Sequence, residues 1–217
     1  MLIINHLDYG RETMDLAQDK YIKVLVEIKR RTAVLDALHF KEINSLYEAT
    51  TVETAYLQLR KILELIAFSS LIANINIYSK QYNKFATHYN AHLMFKDMKR
   101  VNADFYPEPI IQTPSKNPDY VSEWSTPANG YLTKDDFLEL YEKCGRMMHA
   151  ENPYGAEIDY DKYKTQLPIW RTKIVRLLNA HTITLLNDSN LYLFQMGDKD
   201  SNPSYNIFGL IETRTVK

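Results

Sequence analysis

Residues 51–78 read TVETAYLQLRKILELIAFSSLIANINIY, in which Val52, Ala55, Tyr56, Leu59, Ile62, Leu63, Ile66, Ala67, Ser70, Leu71, Asn74, Ile77 and Tyr78 recur mostly at helical spacing. A stripe this long has to be buried along one face of a helix, so the segment is expected to be the central helix around which the rest packs. Between Ile62 and Ile77 the run is interrupted by Glu64, serines and asparagines, which leaves it too short and too polar to span a bilayer. A second stripe, Met14, Ala17, Tyr21, Leu25, Ile28, Leu35 and Leu38, has Lys, Arg, Glu and Asp between its members and predicts a long amphipathic helix from about Glu12 to Leu38. Weaker helical patterning continues through FATHYNAHLMFKDMKRV, residues 85–101.

The composition then changes. Residues 103–131 hold Pro107, Pro109, Pro114, Pro118 and Pro127, which remove backbone donors and disfavour helix in the residues before them. A long connection is expected here, packed down through Trp124 and its tyrosines. The next helix has a marked start. Thr133 can cap it, Asp136 can answer as the other half of a capping box, and Leu132 can staple onto Phe137. Its inward stripe is expected to run Phe137, Leu140, Tyr141, Cys144 and Met148, with Gly145 letting a neighbour approach, until Asn152-Pro153 ends it.

A further helical stretch, from about Asp159 to Asn179, contains Pro168, which is expected to kink or split it. After His181 the apolar period changes to two. TITLL, LYLFQM and YNIFGLIE, separated by NDSN and GDKDSNPS, predict a three-stranded antiparallel meander. The fold expected is mainly α, a helical bundle with a small C-terminal β-meander, α+β overall. The strand-helix alternation of a doubly wound nucleotide-binding fold is absent. One domain over residues 1–217 is anticipated, with a helical core at 11–181 that includes the Pro-rich loop and the meander at 182–217 as an appendage.

Charge is nearly balanced, 26 basic against 27 acidic residues, so no global field recruits nucleic acid or an anionic membrane and any RNA contact must come from a local patch. The first helix offers Lys20, Lys23, Lys29, Arg30 and Arg31 on its basic side, and FKDMKR adds Lys96, Lys99 and Arg100. The single cysteine, Cys144, cannot form an internal bridge, and together with the lack of a leader-like N-terminus it points to a cytoplasmic home. His88 and His92 in HYNAH would align on a helix. They lack a third ligand nearby, Asp97 and Asp104 being remote, so no metal and no cofactor is expected. No Gly-rich phosphate loop and no serine-nucleophile elbow occur.

The chemistry concentrates in GRMMHAENPYG, residues 145–155. Arg146 and His149, three apart, can share one face of a helix. A guanidinium can hold a phosphate bidentately and an imidazole can move a proton near neutral pH, so the pair suits metal-free work on RNA, whose 2′-hydroxyl is its own nucleophile. The same residues also fit a structural role, with Arg146 favouring the negative end of the helix dipole and His149 covering the last turn.

The long helix carrying LRKILELIAFSSL, the helix ending LYEKCGRMMHAENPYG and the helical core resemble the HEPN superfamily, small helical domains that include many ribonucleases and toxin or defence components. In that family an Arg and a His, near the N-terminal end of one helix or in the turn before it, form the active site, and two motifs meet across a homodimer. The resemblance implies Arg146 and His149 as catalytic, Glu64 as a supporting carboxylate, and Asn152, Tyr154 and Arg60 as substrate contacts. The Arg-His gap here is shorter than the family's usual one, and Met147 stands where a polar residue is common. Arg60 and Glu64, four apart, also fit a plain surface ion pair. Two functions therefore stay open: an RNA-cleaving or RNA-binding protein, and a non-catalytic module that recruits a protein partner through apolar faces or a sheet edge.

Overall fold

The computed structural model describes residues 11–73, 91–116, 122–185 and 189–209. They form an α+β fold with helices α1 (Arg11–His39), α2 (Glu48–Ala73), α3 (Ala91–Val101), α4 (Lys134–Met147) and α5 (Tyr160–Leu178). Strands β1 (Glu108–Pro109), β4 (Ala180–Thr184), β5 (Leu191–Gln195) and β6 (Ser204–Phe208) make an antiparallel sheet in the order β1-β4-β5-β6, and β2 (Ile111–Pro114) pairs with β3 (Ser122–Ser125) in a separate hairpin. His88 and the side chain of His92 lie outside the described residues, as do Asn74 to Tyr78.

The central position expected of α2 is what the packing shows: it contacts α1, α3, α4 and α5. Val52, Ala55, Tyr56, Leu59, Ile62, Leu63, Ile66, Ala67 and Ser70 are all buried, so the stripe faces inward from Val52 to Ser70. At roughly 1.5–3 kcal/mol for each large aliphatic side chain removed from water, this one face supplies a major share of the folding free energy. From α1 come Tyr21, Leu25, Ile28, Leu35 and Leu38. From α3 comes Phe95, whose ring meets those of Phe105, Tyr106 and Phe137 at 5.2, 5.9 and 4.3 Å. The start of the Pro-rich connection is thus core: Phe105 and Tyr106 are buried, and the Tyr106 hydroxyl donates to the Leu132 carbonyl at 3.0 Å.

The α4 start forms as its residues predict. Asp136 N–H donates to Thr133 Oγ1 and Thr133 N–H to Asp136 Oδ2, both at 3.1 Å, while Leu132 and Phe137 are fully buried. Two expectations need correction and one is narrowed. Met147, not Met148, continues the buried stripe; Met148 caps the helix with its N–H bonded to Gly145 O at 3.1 Å and is exposed. Of the two outcomes expected of Pro168, a kink or a split, the split does not occur: α5 runs unbroken from Tyr160 to Leu178, with buried Leu167, Trp170 and Ile174 anchoring it on both sides of the ring. The sheet has four strands, the fourth being two residues of the Pro-rich segment: Glu108 lies opposite Thr182 and Pro109 opposite His181. Proline is tolerated there because β1 is an edge.

Sheet and helices share one apolar core, to which Ile183, Tyr192 and Phe194 contribute. Polar contacts reinforce the seam. Fully buried His181 places Nε2 2.9 Å from the Tyr21 hydroxyl and Nδ1 2.9 Å from Leu178 O. The Lys29 ammonium donates to the carbonyls of Met196 at 3.1 Å, Ser201 at 2.7 Å and Asp198.

Candidate functional site

The turn after α4 is where the sequence places its chemistry. Arg146 occupies the last turn of the helix and is exposed; His149 lies beyond the Met148 cap, in a bend, and is also exposed. The helix ends between them at Met148, whose backbone keeps αR angles (φ −88°, ψ −5°). Neither side chain has a hydrogen bond or ion pair among the described residues, which leaves both groups open to a ligand from water.

The loop that follows is shaped by its own side chains. Asn152 Oδ1 accepts from Tyr154 N–H at 3.0 Å and Asn152 O from Gly155 N–H at 2.8 Å, while Glu151 Oε1 accepts from Ile158 N–H at 2.5 Å. Asn152 is thus a turn-former through its carbonyl oxygens. The loop holds Tyr154 out at 97% exposure, an aromatic face with nothing packed on it. Beyond it Asp159 caps α5 by accepting from Lys162 N–H at 2.9 Å, and Tyr160 donates to Glu53 Oε1 at 3.0 Å, which fixes the far end of the loop to α2.

Arg60 and Glu64 sit on the α2 face turned toward α4. Arg60 Nε donates to Glu64 Oε1 at 3.1 Å, Nη2 donates to the Tyr141 hydroxyl at 2.6 Å, and the guanidinium carbon lies 4.0 Å from the Tyr141 ring centroid. Glu64 is half-buried and is bonded through Oε1 to Arg60. Gly145 faces Arg60: a Cβ built there would stand 3.6 Å from Arg60 Nη1, an ordinary contact. Burial pushes the Cys144 thiol well up, with the Arg60 charge opposing and the Glu64 charge adding, so it is an inert core group.

Among the described residues no group of three or more His, Cys, Asp or Glu side chains is placed to hold a metal ion, and no helix is long and apolar enough to cross a membrane. Part of the predicted basic surface is already paired. Arg31 bonds Glu27 at 2.6 Å and Gln58 at 2.8 Å, Arg100 lies 3.6 Å from Asp97, and Lys29 is consumed by the three carbonyls. Lys20, Lys23 and Arg30 remain exposed.

Sequence reading missed a cleft between α1, α5 and the β5–β6 connection, where Asp36 and Arg171 form a bidentate pair with both bonds at 2.7 Å. Those partners are 135 residues apart, and no local pattern announces such a contact. Comparison of the chain with family models, with curated proteins and with solved structures finds no match.

Proposed function

We propose that this protein contacts single-stranded RNA through the turn after α4, as a HEPN-like helical bundle acting in the cytoplasm without metal or cofactor. The observation that supports this reading best is the state of three side chains: Arg146 and His149 exposed and unspent among the described residues, and Tyr154 almost wholly in water on a loop braced by Asn152 and Glu151. Arg146 holds a phosphate through its two-pronged fork, His149 adds a donor, and Tyr154 stacks on an unpaired base. Cleavage is the stronger form of the proposal. It requires His149 to take the 2′-hydroxyl proton while Arg146 offsets charge on the phosphate, and it calls for a homodimer that brings a second Arg-His turn alongside, since Glu64 is bound to Arg60.

The test uses a fluorescent single-stranded RNA pool in chelator, read by polarisation and by gel. Arg146→Ala and Tyr154→Ala should each weaken binding about tenfold, in keeping with ~1–3 kcal/mol for a stacked base. Products bearing 2′,3′-cyclic phosphate that vanish with His149→Ala support cleavage. Wild-type protein that neither binds nor cuts the pool refutes the RNA reading.

A second reading, a module that recruits a protein partner, is favoured by one surface. Phe40, Ile43, Leu46 and Tyr47 on the α1–α2 connection are 68%, 47%, 96% and 63% exposed, and Leu46 is held at φ 72°.

A further inference from the structure

The cleft between α1, α5 and the β5–β6 connection encloses about 550 Å³, within the roughly 300–1,000 Å³ range of small-molecule sites. Its interior is largely apolar, with Ile28 and Ala37 from α1, Ile174 from α5 and Met196 on its walls and Phe40 standing exposed at the rim. The walls are braced against one another. Asp36 and Arg171 tie α1 to α5 by two bonds, and Lys29 ties α1 to the β5–β6 connection through three carbonyls. Packing leaves the space open and these ties fix its walls relative to one another, which is the condition for a preformed site.

Charge says what kind of molecule fits. The charged residues lining the cleft are Lys29, Arg171 and Lys199 with Asp36 and Glu42, an excess of one cation. Asp36 takes Nε and Nη2 of Arg171 and leaves Nη1 without a partner among the described residues, and exposed Lys199 stands at the same cleft. We propose that this cleft binds a small apolar carboxylic acid, its hydrocarbon part on the Ile28, Ala37, Ile174 and Met196 walls and its carboxylate between Arg171 and Lys199. Arg146, His149 and Tyr154 do not line this cleft, so the site stands or falls independently of the RNA reading.

Decanoate serves as the probe, titrated by calorimetry into the full chain beside acetate and decyltrimethylammonium. Saturable one-to-one binding of decanoate is expected, with acetate and the cationic amphiphile at least about tenfold weaker, a difference of about 1.4 kcal/mol. Ala37→Phe, which fills the cleft, should abolish binding, and Lys199→Glu should weaken it several-fold. Methyl resonances give a readout that needs no variant: the Met196 signal of the wild-type protein should shift during the titration. Equal affinity for the cationic amphiphile, unchanged binding by a folded Ala37→Phe protein, or a Met196 signal that does not move would each overturn the proposal.

Discussion

Acidification should weaken the protein through one buried imidazole. His181 has no exposure, stacks on Phe194 at 5.7 Å, and is bonded at both ring nitrogens. The Leu178 carbonyl can only accept, so Nδ1 carries the hydrogen and Nε2 accepts from the Tyr21 hydroxyl. A second proton would need the Tyr21 hydroxyl to turn around and a charge to be held in the core. Burial therefore lowers the pKa from 6.5 to about 4, against the Leu178 bond, which favours the proton. Between those values the unfolded chain binds the proton and the folded chain refuses it, so stability is full above pH 6.5 and falls as pH drops toward 4. At 1.36 kcal/mol per pH unit the loss approaches about 3 kcal/mol in full, and about 2 kcal/mol has gone by pH 5. Urea unfolding followed by far-UV circular dichroism at pH 7 and pH 5 measures it. In His181→Gln, which costs stability at every pH, the difference between the two pH values should shrink by about 2 kcal/mol, and this comparison removes the contribution of every other titrating group. If wild type and variant lose the same amount between pH 7 and 5, His181 is not held neutral by its surroundings and the reasoning fails.

Three further outcomes follow from local geometry. Thr133→Ala removes half of the capping box at α4 and should cost about 1 kcal/mol in chemical denaturation, with no loss meaning that the cap is idle. Gly145→Ala should stabilise by about 0.5–1 kcal/mol, since the added methyl meets Arg60 Nη1 at an ordinary 3.6 Å; destabilisation would show that the helices need the bare backbone. Cys144 should resist thiol reagents at neutral pH until denaturant is added, and rapid labelling of the native protein would contradict its burial.

Legibility from sequence followed the range of the interactions. The α1 and α2 stripes and the Thr133–Asp136 cap are set by neighbours within a turn: α1 from Tyr21 to Leu38 and α2 from Val52 to Ser70 bury the side chains that periodicity selects, and the cap forms as its chemistry predicts. Met147 replaced Met148 because the helix stops there, and a 100° step cannot tell which of two adjacent methionines is the last to face inward. Strand β1 was invisible because a Glu-Pro pair has no period; it becomes a strand only by lying opposite His181 and Thr182. At the site, the local i,i+4 pairing of Arg60 with Glu64 was readable as an alternative, whereas the Arg60 contact with Tyr141 and the Asp36–Arg171 fork depend on chain reversal.

Helix α1 is moored to the last third of the chain by Tyr21, Lys29 and Asp36, whose partners are His181, the carbonyls around Ser201, and Arg171. A nascent chain still lacking residues beyond 170 would therefore carry α1 with a phenol, an ammonium and a carboxylate all waiting for mates. Packing of α1 on α2 needs none of those partners, whereas the three polar moorings can form only once residues 171–201 have been made.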